Sequence, residues 1–207
     1  MIGKLLLATL GFDEKFIIRF LIRHGANRED KIVILFPTGS QQSEKTTKAL
    51  ETIKKVTEVP IEDLAIDLLN PKKMFRKIER VISSPAYQEV IVFLSGGMRI
   101  LLLITLLAIF LSRRLNIQVE IDSEDGDIHL SVPMAAIFAP PNKRKLLILQ
   151  GIKNGQTLTE ISKNTGFSKA TVSREVSQLE SLGLVVDNKL TTAGHFYIEL
   201  YDRELNY

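Results

Sequence analysis

Cysteine is absent from the 207 residues, which excludes disulfide frameworks, thiolate metal sites and thiol nucleophiles together. Long apolar runs are lacking as well. The longest one, Ile100 to Leu111, is shorter than the roughly 18 residues that a membrane-spanning helix requires. The apolar start, Leu5 to Leu10, is followed at once by Asp13, Glu14 and Lys15, unlike the apolar segment of a signal peptide. These absences predict a cytoplasmic protein that is neither secreted nor inserted in a membrane.

The sequence also lacks the fingerprints of common nucleotide-binding enzymes. Residues 9–14 contain no G-x-G-x-x-G, and no P-loop Gly-Lys-Ser/Thr occurs. Three scattered histidines without cysteine offer no recognisable transition-metal site. Four acidic residues surround a predicted turn without EF-hand spacing, and we expect solvation rather than Ca²⁺ binding for Asp122, Glu124, Asp125 and Asp127. A nicotinamide enzyme and an NTPase are therefore disfavoured, and we expect no metal and no cofactor.

Basic residues are concentrated in one part of the chain. Overall, 27 bases and 24 acids give a formal net charge of +3, which by itself favours no polyanion partner. Between Pro140 and Arg174, however, one acid, Glu160, stands against seven bases: Lys143, Arg144, Lys145, Lys153, Lys163, Lys169 and Arg174. The remainder is close to balanced or acidic. A basic run is often only a solvated face, yet this one marks where we would look for a polyanion.

The first two thirds of the chain alternate between short apolar segments and helix-length segments. Strands are predicted at 3–9, 31–36, 61–67, 88–94, 117–121 and 127–132. Helices are predicted at 13–24, at 43–56, from Asn70-Pro71 onwards and at 98–115. This alternation implies parallel strands with right-handed crossovers, hence an α/β, Rossmann-like doubly wound sheet. The last two strands are predicted to form a hairpin with an antiparallel strand at one edge.

A second domain is predicted after a short linker. Because Pro140-Pro141 interrupts regular structure, we assign residues 1–135 to the sheet domain, 136–141 to the linker and 142–207 to the second domain.

Within the second domain, helices are predicted at 142–153, 157–164 and 168–182. Thr157 and Glu160 have the spacing of a capping box. Apolar positions on the last two helices are spaced to pack across a turn at Gly166, which is helix-turn-helix geometry.

Small hydroxyls and bases lie off the apolar stripe of the third helix and suit a major groove, where Arg reads guanine and Ser or Thr holds phosphates. Beyond it, the pattern Leu-Glu-x-Leu-Gly-Leu-Val from Leu179 leads into two short segments that resemble the wing of MarR-like regulators. The predicted DNA-binding residues are Lys143, Arg144, Lys145, Ser168, Lys169, Thr171, Ser173, Arg174, Ser177 and Lys189. The alternative is a helical module for protein interaction or dimerisation.

Glycine-bearing loops follow three predicted strands of the first domain. In a sheet of order 3-2-1-4-5, strands one and four are neighbours, and ligands bind at the carboxyl ends of such a pair. Helix starts after these loops favour an anion, and Arg99 adds a positive charge. The predicted ligand-binding residues are Thr9, Leu10, Gly11, Phe12, Pro37, Thr38, Gly39, Ser40, Ser95, Gly96, Gly97, Met98 and Arg99. The alternative is that the glycines only form tight turns.

The domain order, Thr-Leu-Gly-Phe-Asp-Glu at 9–14, Ser-Gly-Gly-Met-Arg at 95–99 and the apolar helix that follows together resemble one family. It comprises CRISPR-associated transcription regulators with an N-terminal CARF (CRISPR-associated Rossmann fold) domain and a C-terminal winged helix-turn-helix. The resemblance covers nearly the full length. It implies an archaeal homodimer that controls cas or adaptation genes, with cyclic oligoadenylate, expected to be tetra-adenylate, as effector. By position, 9–12 and 95–99 would line the nucleotide site.

Symmetry is consistent with such an effector. If helix 98–115 is apolar all round, one side can cover the sheet while another meets its copy, so that two crevices form one composite pocket. Plain burial within one subunit is the alternative for this helix.

Two other functions remain open. A ring nuclease could use Thr9, Ser95 or Arg99, but no general base stands beside them in sequence, and His24, His129 and His195 are each expected to be structural. We therefore predict a regulator without catalytic residues. The third hypothesis is a scaffold that binds no nucleotide.

Overall fold

The computed structural model describes residues 3–38, 44–138 and 142–201. The chain divides into two compact units, Met1–Ser131 and Val132–Tyr207. The elements of the first unit are β1 (Leu5–Thr9), α1 (Lys15–Arg23), β2 (Lys31–Pro37), α2 (Glu44–Val56), β3 (Ile61–Ile66), α3 (Pro71–Ile82), β4 (Val90–Phe93), α4 (Arg99–Ser112), β5 (Ile117–Asp122) and β6 (His129–Pro133), whose last two residues lie beyond the boundary.

The six strands form one sheet of order β3-β2-β1-β4-β5-β6, and β1 to β5 pair in parallel. Strands β1, β2 and β4 are almost continuously apolar and buried because helices cover both faces of a parallel sheet. The connection from β5 to β6 spans only residues 123–128, too short for a parallel crossover. The Rossmann-like doubly wound sheet predicted from the sequence is confirmed.

Alternation along the strands divides the core between the two faces. Leu6, Ala8 and Phe93 face α1 and α2, which contribute Phe20 and Ile53 among others. Helices α3 and α4 pack against each other, and their buried side chains contribute to the core on the opposite face of the sheet. The start of α3 is as predicted, because the side chain of Asn70 accepts a 3.2 Å hydrogen bond from the backbone N–H of Lys73, with Pro71 at the first helical position.

Helix α4 is shorter than the predicted 98–115 and is buried on one side only. It ends at Ser112 because Arg113 adopts a left-handed conformation (φ 51°). Leu101, Thr105, Ala108 and Ile109 are buried, whereas Ile100, Leu103, Leu107 and Leu111 are exposed. Plain burial within one subunit, the alternative weighed for this helix, is therefore wrong.

The second unit contains two helices that the sequence analysis did not predict. Its elements are α5 (Met134–Phe138), α6 (Lys143–Lys153), α7 (Leu158–Thr165), α8 (Lys169–Ser181), β7 (Val185–Val186), β8 (Lys189–Leu190) and α9 (Thr192–Tyr201). Residues 136–138 were expected in an irregular linker, but they are helical, and Ala136 is buried in the core of this unit. Pro140 and Pro141 lie outside the described residues.

A small apolar core holds the second unit together. Leu149, Ile161, Val176 and Leu179 come from the three central helices, and the fully buried Tyr197 comes from α9. Helix α9 lies close to the residues before the wing: a Cβ added to Gly194 would stand 2.2 Å from the carbonyl oxygen of Leu184. This close approach requires glycine.

Candidate functional sites: a cavity in the first unit and a helix-turn-helix in the second

The loops after β1 and β4 touch through their backbones. A Cβ on Gly96 would lie 2.9 Å from the carbonyl oxygen of Thr9, and a Cβ on Gly11 would lie 2.7 Å from the amide nitrogen of Gly97. Gly97 also has φ +108°, a value that other residues rarely adopt. These glycines bring two chain segments together at the switch point of the sheet, beyond serving as turns.

A cavity of about 380 Å³ opens where these loops meet. It brings together eight of the predicted ligand-binding residues: Leu10, Gly11, Phe12, Pro37, Ser95, Gly96, Gly97 and Met98. Phe12 is 64% exposed and offers a free aromatic face. A crevice of this size accepts a small organic group, such as a nucleobase with its sugar.

Other predicted ligand-binding residues lie elsewhere. Thr9 is fully buried, and its hydroxyl donates to the carbonyl of Phe93 at 3.4 Å. Thr38 donates through its hydroxyl to the carbonyl of Ile66. Both hydroxyls donate to backbone carbonyls, and neither residue lines the cavity. The prediction that Thr9 and Thr38 bind the ligand there is therefore corrected. Arg99 is exposed at the start of α4 and is not among the lining residues. Gly39 and Ser40 lie outside the described residues.

The cavity contains acidic and aromatic residues that the sequence analysis missed. Asp13, Phe16, Thr46 and Glu124 complete its lining. Asp13 lies within the motif at 9–14 and Phe16 lies two residues beyond it, so their position after β1 was a usable signal. Glu124 lies in the turn between β5 and β6. It is far along the chain from the other lining residues, so its position in the sequence was no such signal. Two carboxylates therefore face the cavity where no general base was expected.

A neighbouring cavity of about 400 Å³ shares Asp13, Phe16 and Glu124, and it adds two bases, Lys15 and Arg19, together with one acid, Asp125. The guanidinium of Arg19 stacks on the ring of Phe16 at 5.1 Å. The N-terminus of α4 has no side-chain cap and no acid in its first turn. Its helix dipole is thus available to an anion beside Met98.

A buried charged network lies along β5. The Arg23 guanidinium bonds Asp122 at 2.8 Å and Glu120 at 3.1 Å. Nε2 of His24 lies 2.9 Å from Oε2 of Glu120, and Nδ1 of His129 lies 2.7 Å from Oδ1 of Asp122. Both carboxylates are almost fully buried, so the expectation that Asp122 is solvated is wrong. The sequence showed the charges, but only the fold brings α1, β5 and β6 together around them.

The network shifts the pKa values of both acids. Burial raises the pKa of Glu120, but His24, His129 and Arg23 outweigh it and hold that pKa below its ordinary value of 4.5. Burial likewise raises the pKa of Asp122, yet Arg23 and His129 hold it below its ordinary 3.8. Both groups are therefore carboxylates at neutral pH. Arg23 in turn has its pKa raised, because the two acids outweigh its desolvation.

The helix-turn-helix forms as predicted. Thr157 and Glu160 make the capping box, and Gly166 takes the left-handed conformation (φ 75°) that ends α7. Ser168 then caps α8, accepting a 3.1 Å hydrogen bond from the backbone N–H of Thr171. A Cβ on Gly151 would stand 2.6 Å from Cγ1 of Ile161, so α6 and α7 are in close contact.

The predicted DNA-binding residues divide by exposure. Lys143, Lys169, Ser173, Arg174, Ser177 and Lys189 are exposed. Ser168 is exposed but acts as the helix cap, while Thr171 is half-buried with its hydroxyl 2.9 Å from that of Ser168. Lys145 is half-buried. The free polar face of α8 therefore runs through Ser173, Arg174 and Ser177 rather than through Thr171.

Arg144 has a structural role that its place in a basic run concealed. Its Nη1 bonds Oε1 of Glu175 at 3.3 Å, and its guanidinium lies 5.3 Å from the ring centre of Phe167. Glu175 is buried, and its Oε2 has no partner within the described structure. Arg144 thus joins α6 to α8 and compensates a buried charge, a role that its prediction as a DNA-binding residue did not include.

The wing is a short antiparallel pair, β7 with β8. Asp187 and Asn188 form its tight turn with φ of 49° and 57°. Lys189 follows the turn as an exposed base.

The described ranges contain no group of His, Asp or Glu that could hold a metal ion. No helix among them is long and apolar enough to cross a membrane.

Together, the switch-point cavity and the capped helix pair define a class of chains in which a Rossmann-like domain precedes a winged helix-turn-helix. Residues 4–133 match the Csa3 CRISPR-associated Rossmann-like domain, and residues 146–188 match the IclR helix-turn-helix domain. The chain belongs to the Csa3 family and combines a CARF domain with a helix-turn-helix domain, as the resemblance seen in the sequence indicated.

Two relatives illustrate the similarity. A protein of Saccharolobus solfataricus, Csa3, whose name describes a CRISPR locus-related DNA-binding protein, is 24% identical over 187 residues, covering 86% of this chain and 77% of its own. The structure of Can2 from Sulfobacillus thermosulfidooxidans in complex with cyclic tetra-adenylate superposes with a TM-score of 0.44 at 11% identity, covering 98% of this chain and 67% of the other. The first organism agrees with the archaeal source that the resemblance implies.

Proposed function

We propose that this chain is a CRISPR-associated transcription regulator whose DNA binding responds to cyclic oligoadenylate. The observation that carries the DNA-binding half is the exposed face of α8, where Arg174 has no acidic partner in the described structure and two serines flank it. Arg donates two parallel hydrogen bonds to guanine, and serine hydroxyls hold phosphates. The similarity to a relative named for DNA binding supports this assignment.

The proposal that the chain binds cyclic oligoadenylate rests on the cavity at the switch point. Phe12 offers a surface on which adenine can stack, and the uncapped start of α4 suits a phosphate. Lys15 and Arg19 in the adjoining cavity offset part of the negative charge of Asp13, Glu124 and Asp125. One cavity of about 380 Å³ suits a single nucleoside rather than a ring of four. A second copy must therefore supply the rest of the site.

Helix α4 supplies the surface for that second copy. Ile100, Leu103, Leu107 and Leu111 recur at helical spacing and form an exposed apolar stripe. Such stripes on water-soluble domains mark interaction sites, and a two-fold axis makes the stripe meet itself. Pairing would set two cavities beside one symmetric ligand.

Dimerisation is tested by sedimentation at micromolar concentration. We expect a dimer for the wild type and a monomer for Leu103→Glu with Leu107→Glu. Ile22→Glu, which alters a still more exposed apolar residue on α1, is the control and stays dimeric. A wild-type monomer would remove the composite site.

Ligand binding is tested by calorimetry with cyclic tetra-adenylate. Phe12→Ala is expected to weaken binding because it removes the stacking surface, and Arg99→Ala because it removes the cation at the uncapped start of α4. Leu69→Ala, which alters an exposed apolar residue of the same unit, leaves binding unchanged. Mapping of genomic DNA sites with and without the ring then measures the response. The scaffold hypothesis predicts no heat of binding.

A ring nuclease is the second candidate, favoured by the carboxylates of Asp13 and Glu124 in the cavity wall. Either could take the proton of a ribose 2′-hydroxyl as its oxygen attacks the adjacent phosphorus and the bond to the 5′-oxygen breaks. The leaving oxygen takes up a proton, and a 2′,3′-cyclic phosphate results. Incubation of the purified protein with cyclic tetra-adenylate, followed by chromatography, distinguishes cleavage from binding alone, and the regulator hypothesis expects an intact ring.

A further inference from the structure

We propose that the exposed face of α3 binds the phosphate backbone of duplex DNA, as a second and sequence-independent contact contributed by the first unit. This inference rests on the proposed DNA-binding function. The face consists of Lys72, Lys73, Arg76, Lys77 and Arg80, all exposed, and they line one groove together with Asn70. We call it the basic face of α3.

The charge of the basic face is not neutralised within the described parts of the chain. None of its five side chains forms an ion pair there. Lys77 donates to the carbonyl oxygen of Ala65 at 2.7 Å, which is a neutral partner. The nearby acid Glu79 accepts the hydroxyl of Ser83 at 2.8 Å.

Acids on the neighbouring strand β3 are already engaged. Glu62 pairs with Lys31, and Asp63 pairs with Lys54. The basic face therefore remains a concentrated positive surface, even though the net charge of the whole chain is only +3. Outside residues 140–174 the charge of the chain is close to balanced or acidic as a whole, and this local group of bases was not noticed in the sequence.

The arrangement is unfavourable for the helix itself. Lys72 and Lys73 stand in the first turn of α3, where the helix dipole disfavours cations, and no acid accompanies them. Lys72, Arg76 and Arg80 follow one another at intervals of four, and such like charges repel. A polyanion bound along this face would offset both the unfavourable interaction with the helix dipole and the repulsion between the cations. Without a bound anion, the arrangement only destabilises the helix.

The chemistry of the face selects a phosphate backbone over a protein surface. Protein interfaces centre on aromatic or aliphatic anchors and are depleted in Lys, whereas this face is composed of Lys and Arg. The apolar residues of α3, Met74, Ile78 and Ile82, are turned into the core. Lys and Arg on an exposed helix contact phosphates without reading bases.

The first test compares salt dependence. Lys72, Lys73, Arg76 and Arg80 are replaced by Gln, leaving Lys77 and its hydrogen bond in place. The matched control replaces the same number of exposed cations elsewhere in the first unit, Arg28, Lys45, Lys48 and Lys55, also by Gln, and leaves the ion pair of Lys54 with Asp63 in place. Affinity for a scrambled 30-bp duplex is measured by fluorescence anisotropy between 50 and 200 mM KCl.

Each lost phosphate contact lowers the slope of log affinity against log salt by about 0.9, so the α3 variant should lose about 3 to 4. The control should keep the wild-type slope. Because the replaced cations repel one another, the α3 variant is expected to fold and to unfold at a temperature at least as high as that of the wild type. An unchanged slope, or an equal loss in the control, overturns the inference.

The second test asks for direct contact and exploits the absence of cysteine. Lys73→Cys and, as control, Lys48→Cys are each labelled with a thiol-reactive photocrosslinker and irradiated with the same duplex. Crosslinking from position 73 and not from position 48 supports the proposal, and equal or absent crosslinking at 73 overturns it. If Arg174→Ala still lowers site discrimination while both α3 tests are negative, only this inference falls. If the wild type binds no duplex, the proposed function falls with it.

Discussion

The hydroxyl oxygen of Ser95 accepts a 2.5 Å hydrogen bond from the backbone N–H of Asp122. Ser95 lines the cavity, and Asp122 ends β5, so the bond ties the cavity loop to the strand that carries the charged network. The carboxylate of Asp122 in turn holds His129 on β6, which leads along the chain into α5 of the second unit. A ligand that displaces Ser95 would therefore act on β5 and β6.

Ser95→Ala tests this tie. The variant leaves the amide of Asp122 without its acceptor, and such a loss costs about 1–3 kcal/mol of unfolding free energy. Urea unfolding should show this decrease. Ser181→Ala, whose hydroxyl bonds only within its own helix, is the control and should change little. Equal stability of the two variants would contradict a structural role for the Ser95 hydroxyl.

Acid pH should weaken the first unit through Glu120 and Asp122. Both have folded pKa values below their ordinary 4.5 and 3.8, so they stabilise the fold fully above those values. This stability is lost as pH falls through the lowered folded pKa values. Urea unfolding between pH 6 and pH 2.5 should show the loss, and Glu120→Gln with Asp122→Asn should flatten it. A pH profile unchanged by this double substitution would refute the assignment.

Gly194→Ala should destabilise the second unit more than Gly151→Ala. At position 194 the new Cβ meets the carbonyl oxygen of Leu184 at 2.2 Å, and backbone cannot easily move. At position 151 it meets side-chain atoms of Ile161, which can shift. Overpacking of this kind costs about 1–3 kcal/mol, and the upper end is expected for Gly194. Thermal unfolding of the two variants gives the order, and the reverse order would be inconsistent with these contacts.

Adjacent residues Lys143 and Arg144 should separate DNA binding from stability. Lys143→Ala removes an exposed cation and should reduce the salt slope by about 0.9 without altering the melting temperature. Arg144→Ala leaves the buried Glu175 without its cation and should cost about 1–3 kcal/mol of stability. Anisotropy titrations and thermal unfolding of both variants provide the comparison. Equal melting temperatures would contradict the structural role of Arg144.

Local chemistry explains what the sequence could predict. Asn70-Pro71, the Thr157 and Glu160 pair and Gly166 fix helix ends through their immediate neighbours, and each does so in the structure. The sheet order 3-2-1-4-5 is that of the doubly wound class which the alternation of strands and helices indicated. The meeting of the loops after β1 and β4 could be predicted for the same reason.

Side-chain placement depends on packing and was not predictable in the same way. Lys143 and Arg144 are neighbours with equal charge, yet the helix phase exposes one and turns the other towards Glu175. Glu124 reaches the cavity from a distant turn. The helix α9 escaped notice because its sequence lacks a clear polar face, and its buried Tyr197 matters only once the three central helices are in place.

Arg174 should determine base discrimination, and two substitutions separate its charge from its geometry. Arg174→Ala should lower the ratio of specific to scrambled affinity by about 1–3 kcal/mol if the guanidinium bonds guanine through two hydrogen bonds. It also removes a cation near the phosphates. Arg174→Lys keeps the charge but has no planar pair of donors, so it should lose discrimination while retaining the wild-type salt slope. Salt titrations on a mapped genomic site and its scrambled duplex give both quantities. If Arg174→Lys preserved full discrimination, Arg174 would act as a phosphate contact, and base readout would have to come from another part of the exposed face of α8.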